Sequence, residues 1–423
     1  MNELHFAARD GSIERTLAVL SRGGIDIDQG DPDGFTPLMI AALYGNSQVV
    51  RVLLNKGANV LTVADGGGTT LHVAVQEGHL AVTKLLVKAG ADLDAKSSTG
   101  GGVTPLHMAA CRGYSEVMEV LIEAGANRNS RTVNGTTPLF MAAVGGHVDA
   151  IKVLLSAKAD PLLTYSTPSG KTFLPLDAAA SGGHLEVVHE LIQEHGIEGC
   201  GGASNGVQAL QAAARSQHVE VMGMLTGAGA VDTGAALRAA AFRGCESSVK
   251  FLLQQWKRNR SGERAGYLET YDPSGRTSML YSIEAGHPCS PRITRLLVDA
   301  GADTTTAVRV VDGRGAVFFD DTPLVFTEFT IHEKTEGEDA AEEQLHSLEA
   351  SRRLLMRVEA IHAVSWLWAS DDATSVTDAT AKGRNKAPAK PTLLTSMLPI
   401  LRRRVQKPRV LVAALSRHSG KPY

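Results

Sequence analysis

A histidine-rich stretch, HELIQEH at 189–195, is the first candidate for metal chemistry. It is similar to the zinc-protease motif H-E-x-x-H, in which two histidines one helical turn apart bind the metal and the glutamate acts as a base. Gln193 stands where the second histidine is required, so one of the two ligands is missing. We therefore interpret His189, Glu190 and Glu194 as exposed residues of a surface helix, and we predict no metal site.

Two glycine-rich stretches, GGGTT at 66–70 and GCGGASNG at 199–206, are the candidates for a phosphate-binding loop. Neither contains G-x-x-x-x-G-K-[ST], and we interpret both as turns. No Ser–His–Asp or Cys–His set stands apart from the repeat pattern described below. The cysteines lie far apart and form no C-x-x-C pair: Cys111, Cys200, Cys245 and Cys289. We expect no catalytic residue, no cofactor and a reducing compartment.

The segment DGFTPLMIAALYGNSQVVRVLLNKGANV, residues 33–60, predicts two short helices joined by a turn. Thr36 stands at an N-cap position and Pro37 at the first helical position, where its missing N–H costs nothing. Gly45 ends the first helix, because a left-handed cap favours a residue without a Cβ atom. Residues 48–56 form the second helix. Two short helices with one narrow apolar face are not stable alone, so the unit stacks on copies of itself.

Copies of this unit recur along the chain, and the leucine that follows the Thr-Pro pair marks each of them. Successive leucines are 34, 33, 35, 33, 37, 34, 27, 43 and 44 residues apart. This repeat leucine stands at Leu4, Leu38, Leu71, Leu106, Leu139, Leu176, Leu210, Leu237, Leu280 and Leu324. A fixed period of this length is typical of a repeat protein rather than of a chain with several ordinary domains.

Four copies carry one heptapeptide pattern: TPLMIAA at 36–42, TTLHVAV at 69–75, TPLHMAA at 104–110 and TPLFMAA at 137–143. On these residues the chain resembles the ankyrin-repeat family over about residues 2–305. The resemblance implies an all-α ankyrin-repeat solenoid, built of stacked helix-turn-helix units with β-hairpin fingers. It implies about nine repeats in residues 1–305.

The histidines of the repeats are expected to be structural. The resemblance implies that His72 and His107, in the TPLH position, link neighbouring finger loops by hydrogen bonds. A structural role is also expected of the histidines that open the turn between the two helices of a repeat: His79, His147 and His184.

The resemblance also implies a protein-binding surface on the concave side of the solenoid. Its contact positions are the fingers and the ends of the first helices, where exposed aromatic and arginine side chains are the usual anchors. The alternative for any single position is an ordinary surface residue. Carried over to this sequence, the positions are Phe35, Leu43, Tyr44, Gln76, Glu77, Val103, Arg112, Val133, Asn134, Val144, Arg215, Phe242 and Arg243.

The later part of the chain is less regular. Residues 199–206 are predicted as a glycine-rich link and residues 257–270 as a charged surface loop. Residues 306–370 are predicted as a degenerate repeat and C-terminal capping helices with an acidic insertion at 333–343. Residues 371–423 are predicted as a basic, largely disordered tail.

Charge is unevenly distributed along the chain. The net charge is −3, but residues 379–423 hold 11 Lys and Arg and no Asp or Glu, which leaves 31 basic against 45 acidic residues, a net −14, in the rest. A basic patch lies in this tail: Arg402, Arg403, Arg404, Lys407 and Arg409. It is a nuclear-import or nucleic-acid patch, an anionic-membrane contact helped by nearby leucines, or a solvated tail that can fold back on the acidic body.

We predict a monomeric, non-enzymatic scaffold or adaptor that binds one or more partner proteins on the concave ankyrin surface and needs no small-molecule substrate. The alternative is a regulatory or targeting protein whose basic tail contacts nucleic acid or an anionic membrane. A third possibility is an enzyme with its site in residues 306–370. The N-terminus does not resemble a signal peptide and no run of 18 apolar residues exists, so we expect a protein of the cytoplasm, the nucleus or both, without a membrane span.

Overall fold

The structure is a computed structural model. It describes residues 2–98, 100–202, 206–258, 266–285, 287–304, 308–311, 317–324, 326–327, 330 and 344–356. The chain divides into two compact units, Met1–Ala363 and Val364–Tyr423, and every described residue lies in the first unit.

The second repeat shows how the sequence determines the local fold. Thr36 caps the first helix by accepting a hydrogen bond from the Met39 N–H, and Pro37 occupies the first turn. Gly45 adopts φ +71°, a conformation that costs a residue with a Cβ atom about 1–2 kcal/mol. The second helix then begins at Ser47, one residue earlier than the sequence predicts.

Eighteen helices form nine such pairs within the described residues. They are α1 (Glu3–Asp10), α2 (Ile13–Arg22), α3 (Pro37–Leu43), α4 (Ser47–Asn55), α5 (Thr70–Gln76), α6 (Leu80–Lys88), α7 (Pro105–Arg112), α8 (Ser115–Glu123), α9 (Pro138–Gly145), α10 (Val148–Ser156), α11 (Pro175–Gly182), α12 (Leu185–Cys200), α13 (Val207–Arg215), α14 (Val219–Gly227), α15 (Ala235–Phe242), α16 (Glu246–Arg258), α17 (Ser278–Ala285) and α18 (Ser290–Ala300). A further helical stretch covers residues 344–356.

The pairs stack into two layers. Each odd-numbered helix packs on the next odd-numbered helix from α1 to α17, and the even-numbered helices pack in the same order from α2 to α18. The repeat leucines of α1 to α17 are fully buried in the core. First helices pack more closely on one another than second helices do, because alanines such as Ala109 and Ala142 stand at their contacts. We call the exposed surface of α1, α3, α5, α7, α9, α11, α13, α15 and α17 the first-helix face.

Short antiparallel hairpins connect successive repeats, as predicted. Strand β1 (Tyr165–Ser166) pairs with β2 (Thr172–Phe173), and single bridges join Val63 to Thr69 and Ser97 to Val103. A longer hairpin of β3 (Val308–Val311) and β4 (Val317–Asp321) directly precedes the Thr-Pro-Leu of 322–324. The sequence analysis did not predict this last hairpin.

A histidine ladder joins neighbouring repeats in the first half of the stack. His72 Nδ1 lies 2.9 Å from its own cap, Thr69 Oγ1, and its Nε2–H donates to the Val103 carbonyl at 3.1 Å. His107 repeats this geometry and donates to the Thr136 carbonyl at 2.9 Å. Three residues form the ladder: His5, His72 and His107. The predicted structural role of His72 and His107 is confirmed. Desolvation lowers the pKa of both, more than their hydrogen bonds raise it.

A second row of side chains lies at the turns between paired helices. His147 Nε2–H donates to the Cys111 carbonyl at 2.9 Å, and His184 donates to the Val144 carbonyl at 3.1 Å. These bonds satisfy carbonyls at the C-terminal ends of first helices, which lack partners within their own helix. The turn row comprises Asn46, His79, His147, His184, His218 and Cys245. The predicted structural role of these turn histidines is also confirmed.

Two expectations for the later repeats were wrong. A kink at Gly196 (φ +66°) divides α12 into two helical segments, and the second segment reaches Cys200, two residues into the predicted link. The predicted surface loop is partly packed, since the Tyr267 ring stacks on Trp256 with centroids 5.8 Å apart and Leu268 is only 4% exposed. Apolar side chains near the end of the loop therefore outweigh its charged composition.

Candidate functional site

The residue that follows each repeat leucine changes character along the stack. Within α1 to α7 this position holds histidine in three repeats of four, and Met39, its one exception there, is fully buried. From α9 onward the histidine is absent. Along the chain the position holds His5, Met39, His72, His107, Phe140, Asp177, Gln211, Arg238 and Tyr281. We call it the ladder position.

A groove of about 1180 Å³ opens on the first-helix face where the histidines stop. It runs over α9, α11, α13, α15 and α17 and is bounded by the finger of β1 and β2. All five non-histidine residues of the later ladder positions line it: Phe140, Asp177, Gln211, Arg238 and Tyr281. Small side chains make the groove deep. The residue after the ladder position is alanine in three successive first helices: Ala178, Ala212 and Ala239.

Aromatic pairs lie at the two ends of the groove. Phe140 of α9 packs against Tyr165 of the finger, with ring centroids 5.1 Å apart. Phe242 of α15 meets Tyr281 of α17 edge to face at 5.7 Å, and 45% of Phe242 is exposed. Half-exposed aromatic rings of this kind supply large contact areas to a partner.

Three exposed cations line the same groove: Lys171, Arg215 and Arg243. Within the described part of the chain their side chains form no ion pair and no hydrogen bond. Arg238 differs, because it donates to the Thr270 carbonyl at 3.1 Å and to Thr270 Oγ1 at 2.7 Å. The three exposed cations are therefore available to a ligand, whereas Arg238 fixes the finger of the next repeat.

The two carboxylates of the groove have different environments. Asp272 accepts hydrogen bonds from Ser274 and Tyr281 Oη; desolvation alone would raise its pKa, but these bonds outweigh it and the pKa is lowered. Asp177 is 2% exposed and accepts a hydrogen bond from the Leu174 N–H at 2.8 Å. Burial raises the pKa of Asp177 to about 6, although that hydrogen bond opposes the shift.

Asp177 does only part of what a ladder histidine does. Its carboxylate accepts from the N–H at the start of its own helix, as an acidic residue does in a capping box. An ionised carboxylate has no proton to donate to the carbonyl of the following finger. Aspartate at the ladder position therefore leaves this repeat without the link to the next finger. It also places at the groove floor a carboxyl group whose ionisation is opposed by burial.

The structure separates the sequence-predicted site residues into two groups. Val144, Arg215, Phe242 and Arg243 all line the groove. The others lie at earlier repeats: Tyr44, Gln76, Glu77, Arg112, Val133 and Asn134 are exposed, whereas Phe35, Leu43 and Val103 are half-buried. Phe35 packs against the core, and its carbonyl accepts the bond from His5.

Sequence reasoning missed the groove residues at the ladder position and in the finger. The signal was present, since aligning the repeats on their leucines shows the histidine disappearing after His107. The alignment did not indicate that Tyr165 and Lys171, which belong to one finger, lie beside the later ladder positions. The acidic insertion and the basic patch of the tail lie outside the described residues.

The described residues contain neither a metal-ligand cluster nor a membrane-spanning helix. Among the described residues no group of three or more His, Cys, Asp or Glu could hold a metal ion. His189 and Glu194 are exposed as predicted, but the prediction was wrong for Glu190, which is half-buried and lies 3.4 Å from Lys152 Nζ. No helix in the described part combines the length and hydropathy needed to cross a bilayer.

Stacked helix pairs, short fingers and the histidine ladder define an all-α solenoid of helix-turn-helix repeats. The family model described as ankyrin repeats (3 copies) matches residues 4–97 and 93–165. Residues 4–165 therefore contain ankyrin repeats, which are generally protein-binding modules without catalytic activity. The groove lies largely beyond the matched residues.

Three relatives illustrate the similarity to known proteins, and each matches about a quarter of the chain. It is 39% identical over 99 residues to the E3 ubiquitin-protein ligase KEG of Arabidopsis thaliana, covering 23% of this chain and 6% of that protein. It is 39% identical over 103 residues to the palmitoyltransferase AKR1 of Saccharomyces cerevisiae, covering 23% and 14%. It is 38% identical over 92 residues to protein phosphatase 1 regulatory subunit 27 of Mus musculus, covering 22% and 60%. The chain thus spans less than two thirds of each of these relatives.

Proposed function

We propose that this protein is a non-enzymatic scaffold or adaptor that binds a partner protein in the groove between Phe140 and Tyr281. The observation that carries the proposal is the coincidence of three features at one place on the first-helix face. The histidine ladder stops there, aromatic pairs flank the opening, and it is lined by three cations that have no partner among the described residues. Recognition surfaces combine exposed rings and arginines in this way.

The earlier repeats are a weaker candidate for the main contact. Their exposed residues, such as Tyr44 and Arg112, lie outside the groove. His72 and His107 are occupied in hydrogen bonds between fingers and are buried. We infer that these repeats chiefly provide a rigid support, while the later repeats provide specificity.

The division of the chain and its compartment form part of the same proposal. Residues 1–305 are the repeat array, 306–370 a degenerate repeat with capping helices, and 371–423 a basic tail. The hairpin β3–β4 before a Thr-Pro-Leu and the buried Leu348 of the 344–356 helix support the second region. All four cysteines are free, which favours the reducing conditions of the cytoplasm or nucleus.

Affinity capture with matched variants tests the groove. The groove variant carries Arg215→Ala and Phe242→Ala; the control variant carries Tyr44→Ala and Arg112→Ala, which lie at the ends of first helices in earlier repeats. Circular dichroism establishes that both are folded. We expect the intact chain and the control to retain the same partner from a native extract and the groove variant to lose it. A partner lost by the control and retained by the groove variant contradicts the proposal.

A further inference from the structure

Building on the proposed function, we propose that the groove takes an extended acidic segment of the partner protein, with a large apolar side chain near each end. The groove supplies cations along its length and exposed rings at its ends. The proposal thus adds the chemistry and the length of the ligand to the location of the site.

The charge of the groove favours an anionic ligand. Lys171, Arg215 and Arg243 are exposed and have no intramolecular partner in the described residues. The two opposing carboxylates are engaged, since Asp272 accepts from Ser274 and Tyr281 while Asp177 accepts from Leu174. Complementary charge across an interface accelerates association and excludes partners of the wrong sign.

The spacing of the aromatic pairs sets the length of the ligand. Four helix-to-helix steps separate α9 from α17, and packed helices lie about 8–10 Å apart, which gives roughly 32–40 Å. An extended chain covers about 3.3 Å per residue, so a segment of about ten to twelve residues reaches from one aromatic pair to the other. Small residues between the pairs, Ser181, Gly182 and Ser216, let a main chain approach closely.

A polyphosphate ligand fits this groove less well than an acidic peptide. A polyphosphate carries a charge on every unit, whereas the three exposed cations, Lys171, Arg215 and Arg243, belong to separate repeats of the groove. The rings at the ends are held edge to face or tilted against neighbouring rings, so they offer limited stacking platforms for consecutive bases. An acidic peptide with spaced carboxylates and apolar ends meets neither difficulty.

The test is a selection from a random 12-residue peptide library displayed on phage, with the intact chain as the immobilised target. We expect the selected sequences to be enriched in Asp and Glu at their centres and in large apolar residues toward their ends. The affinity of the best free peptide, measured by fluorescence anisotropy, should fall as ionic strength rises. Selected sequences that are neutral or basic overturn the proposal.

Matched charge reversals locate the binding. Arg243 and Arg112 both stand six residues after their repeat leucine, one inside the groove and one outside it. We expect Arg215→Glu with Arg243→Glu to weaken the selected acidic peptide at least about tenfold, and Arg112→Glu to change it less than about twofold. Equal weakening by both charge reversals contradicts a specific acidic site in the groove.

A third variant separates this inference from the function on which it rests. If Phe242→Ala abolishes peptide binding while the groove charge reversals leave it unchanged, the groove binds proteins but its charge does not select them, and only the acidic-ligand inference fails. If no groove variant affects any selected peptide, the proposed function fails as well. A 12-nucleotide single strand that competes as strongly as the acidic peptide overturns the peptide specificity.

Discussion

The first four repeats and the later five use the ladder position for different purposes. His72 and His107 point into the protein and bond to the next finger. In the later repeats Phe140, Gln211 and Tyr281 line an open groove instead. The comparison teaches that one position of a repeat can hold the stack together through a buried histidine or face an open groove. Arg238 does both, because it lines the groove and donates to the Thr270 carbonyl of the next finger.

The turn row is present in both regions. His79 in the third repeat and His184 in the sixth both donate to a carbonyl of the preceding first helix. The contrast between the regions therefore concerns the first-helix face and its fingers rather than these turn histidines. The hydrogen bonds of these turn histidines therefore provide, in each region, a control against which changes at the ladder position can be compared.

The largest expected effect comes from Asp177→Asn in the groove. The pKa of this carboxyl is raised from 3.8 to about 6, so the folded state holds its proton more tightly and stability falls as pH rises from about 4 to 6. Asn keeps an acceptor for the Leu174 N–H and cannot ionise. We expect the variant to be more stable at pH 7 by up to about 3 kcal/mol, at 1.36 kcal/mol per pKa unit, with the gain vanishing below about pH 4.

Chemical denaturation at pH 7 and at pH 4 measures this gain. Asp272→Asn is the matched control in the same groove, because the pKa of Asp272 is lowered and its ionised form is favoured. The control should lose stability at pH 7. If both variants, or neither, are more stable than the intact chain at pH 7, ionised Asp177 is not the group that destabilises the fold.

The next effect compares one position in the two regions. His107→Ala removes a fully buried ring together with its hydrogen bonds to Thr104 Oγ1 and to the Thr136 carbonyl, and we expect a loss of about 1–3 kcal/mol. Gln211→Ala removes a half-buried side chain that makes no hydrogen bond within the described residues, and we expect a change within about 0.5 kcal/mol. Urea unfolding of the two variants measures the difference. Equal losses would show that the ladder position is structural throughout the stack.

The two regions should respond in opposite directions to acid. The pKa values of His72 and His107 are lowered in the folded state, so the unfolded chain binds protons more readily than the folded chain. Their contribution to the free energy of unfolding is therefore lost as pH falls below 6.5. Asp177 contributes the opposite trend between pH 6 and 4. Hydrogen exchange at pH 7 and pH 5 should therefore show α5 and α7 losing protection relative to α11. Parallel losses in all three helices would contradict these local assignments.

The smallest expected difference concerns the turn row. His79→Ala and His184→Ala each remove one partly exposed hydrogen bond to a carbonyl, at 3.0 and 3.1 Å. Each should cost about 0.5–1.5 kcal/mol. We expect the two losses to agree within about 0.5 kcal/mol, because this row runs through both regions. A clear difference would mean that the regions differ in more than the first-helix face.

The fold was predictable because its determinants are local. Thr36 and Pro37 start a helix and Gly45 ends it, and the same types recur at a fixed period. The groove was less predictable because it requires residues from several repeats to be brought side by side. Arg215 and Phe242 were selected by position, but Lys171 and Asp177 were not, since only the stacked structure places a finger and a buried carboxylate beside them.

The most direct test of the account is site-specific photo-crosslinking in a native extract. A benzophenone-bearing amino acid is placed either at Ser181, inside the groove, or at Gln76, which stands the same five residues after its repeat leucine but outside the groove. The account predicts that a partner protein is crosslinked from position 181 and not from position 76, through an acidic segment identified by mass spectrometry. A partner crosslinked from position 76 and not from position 181 would contradict it.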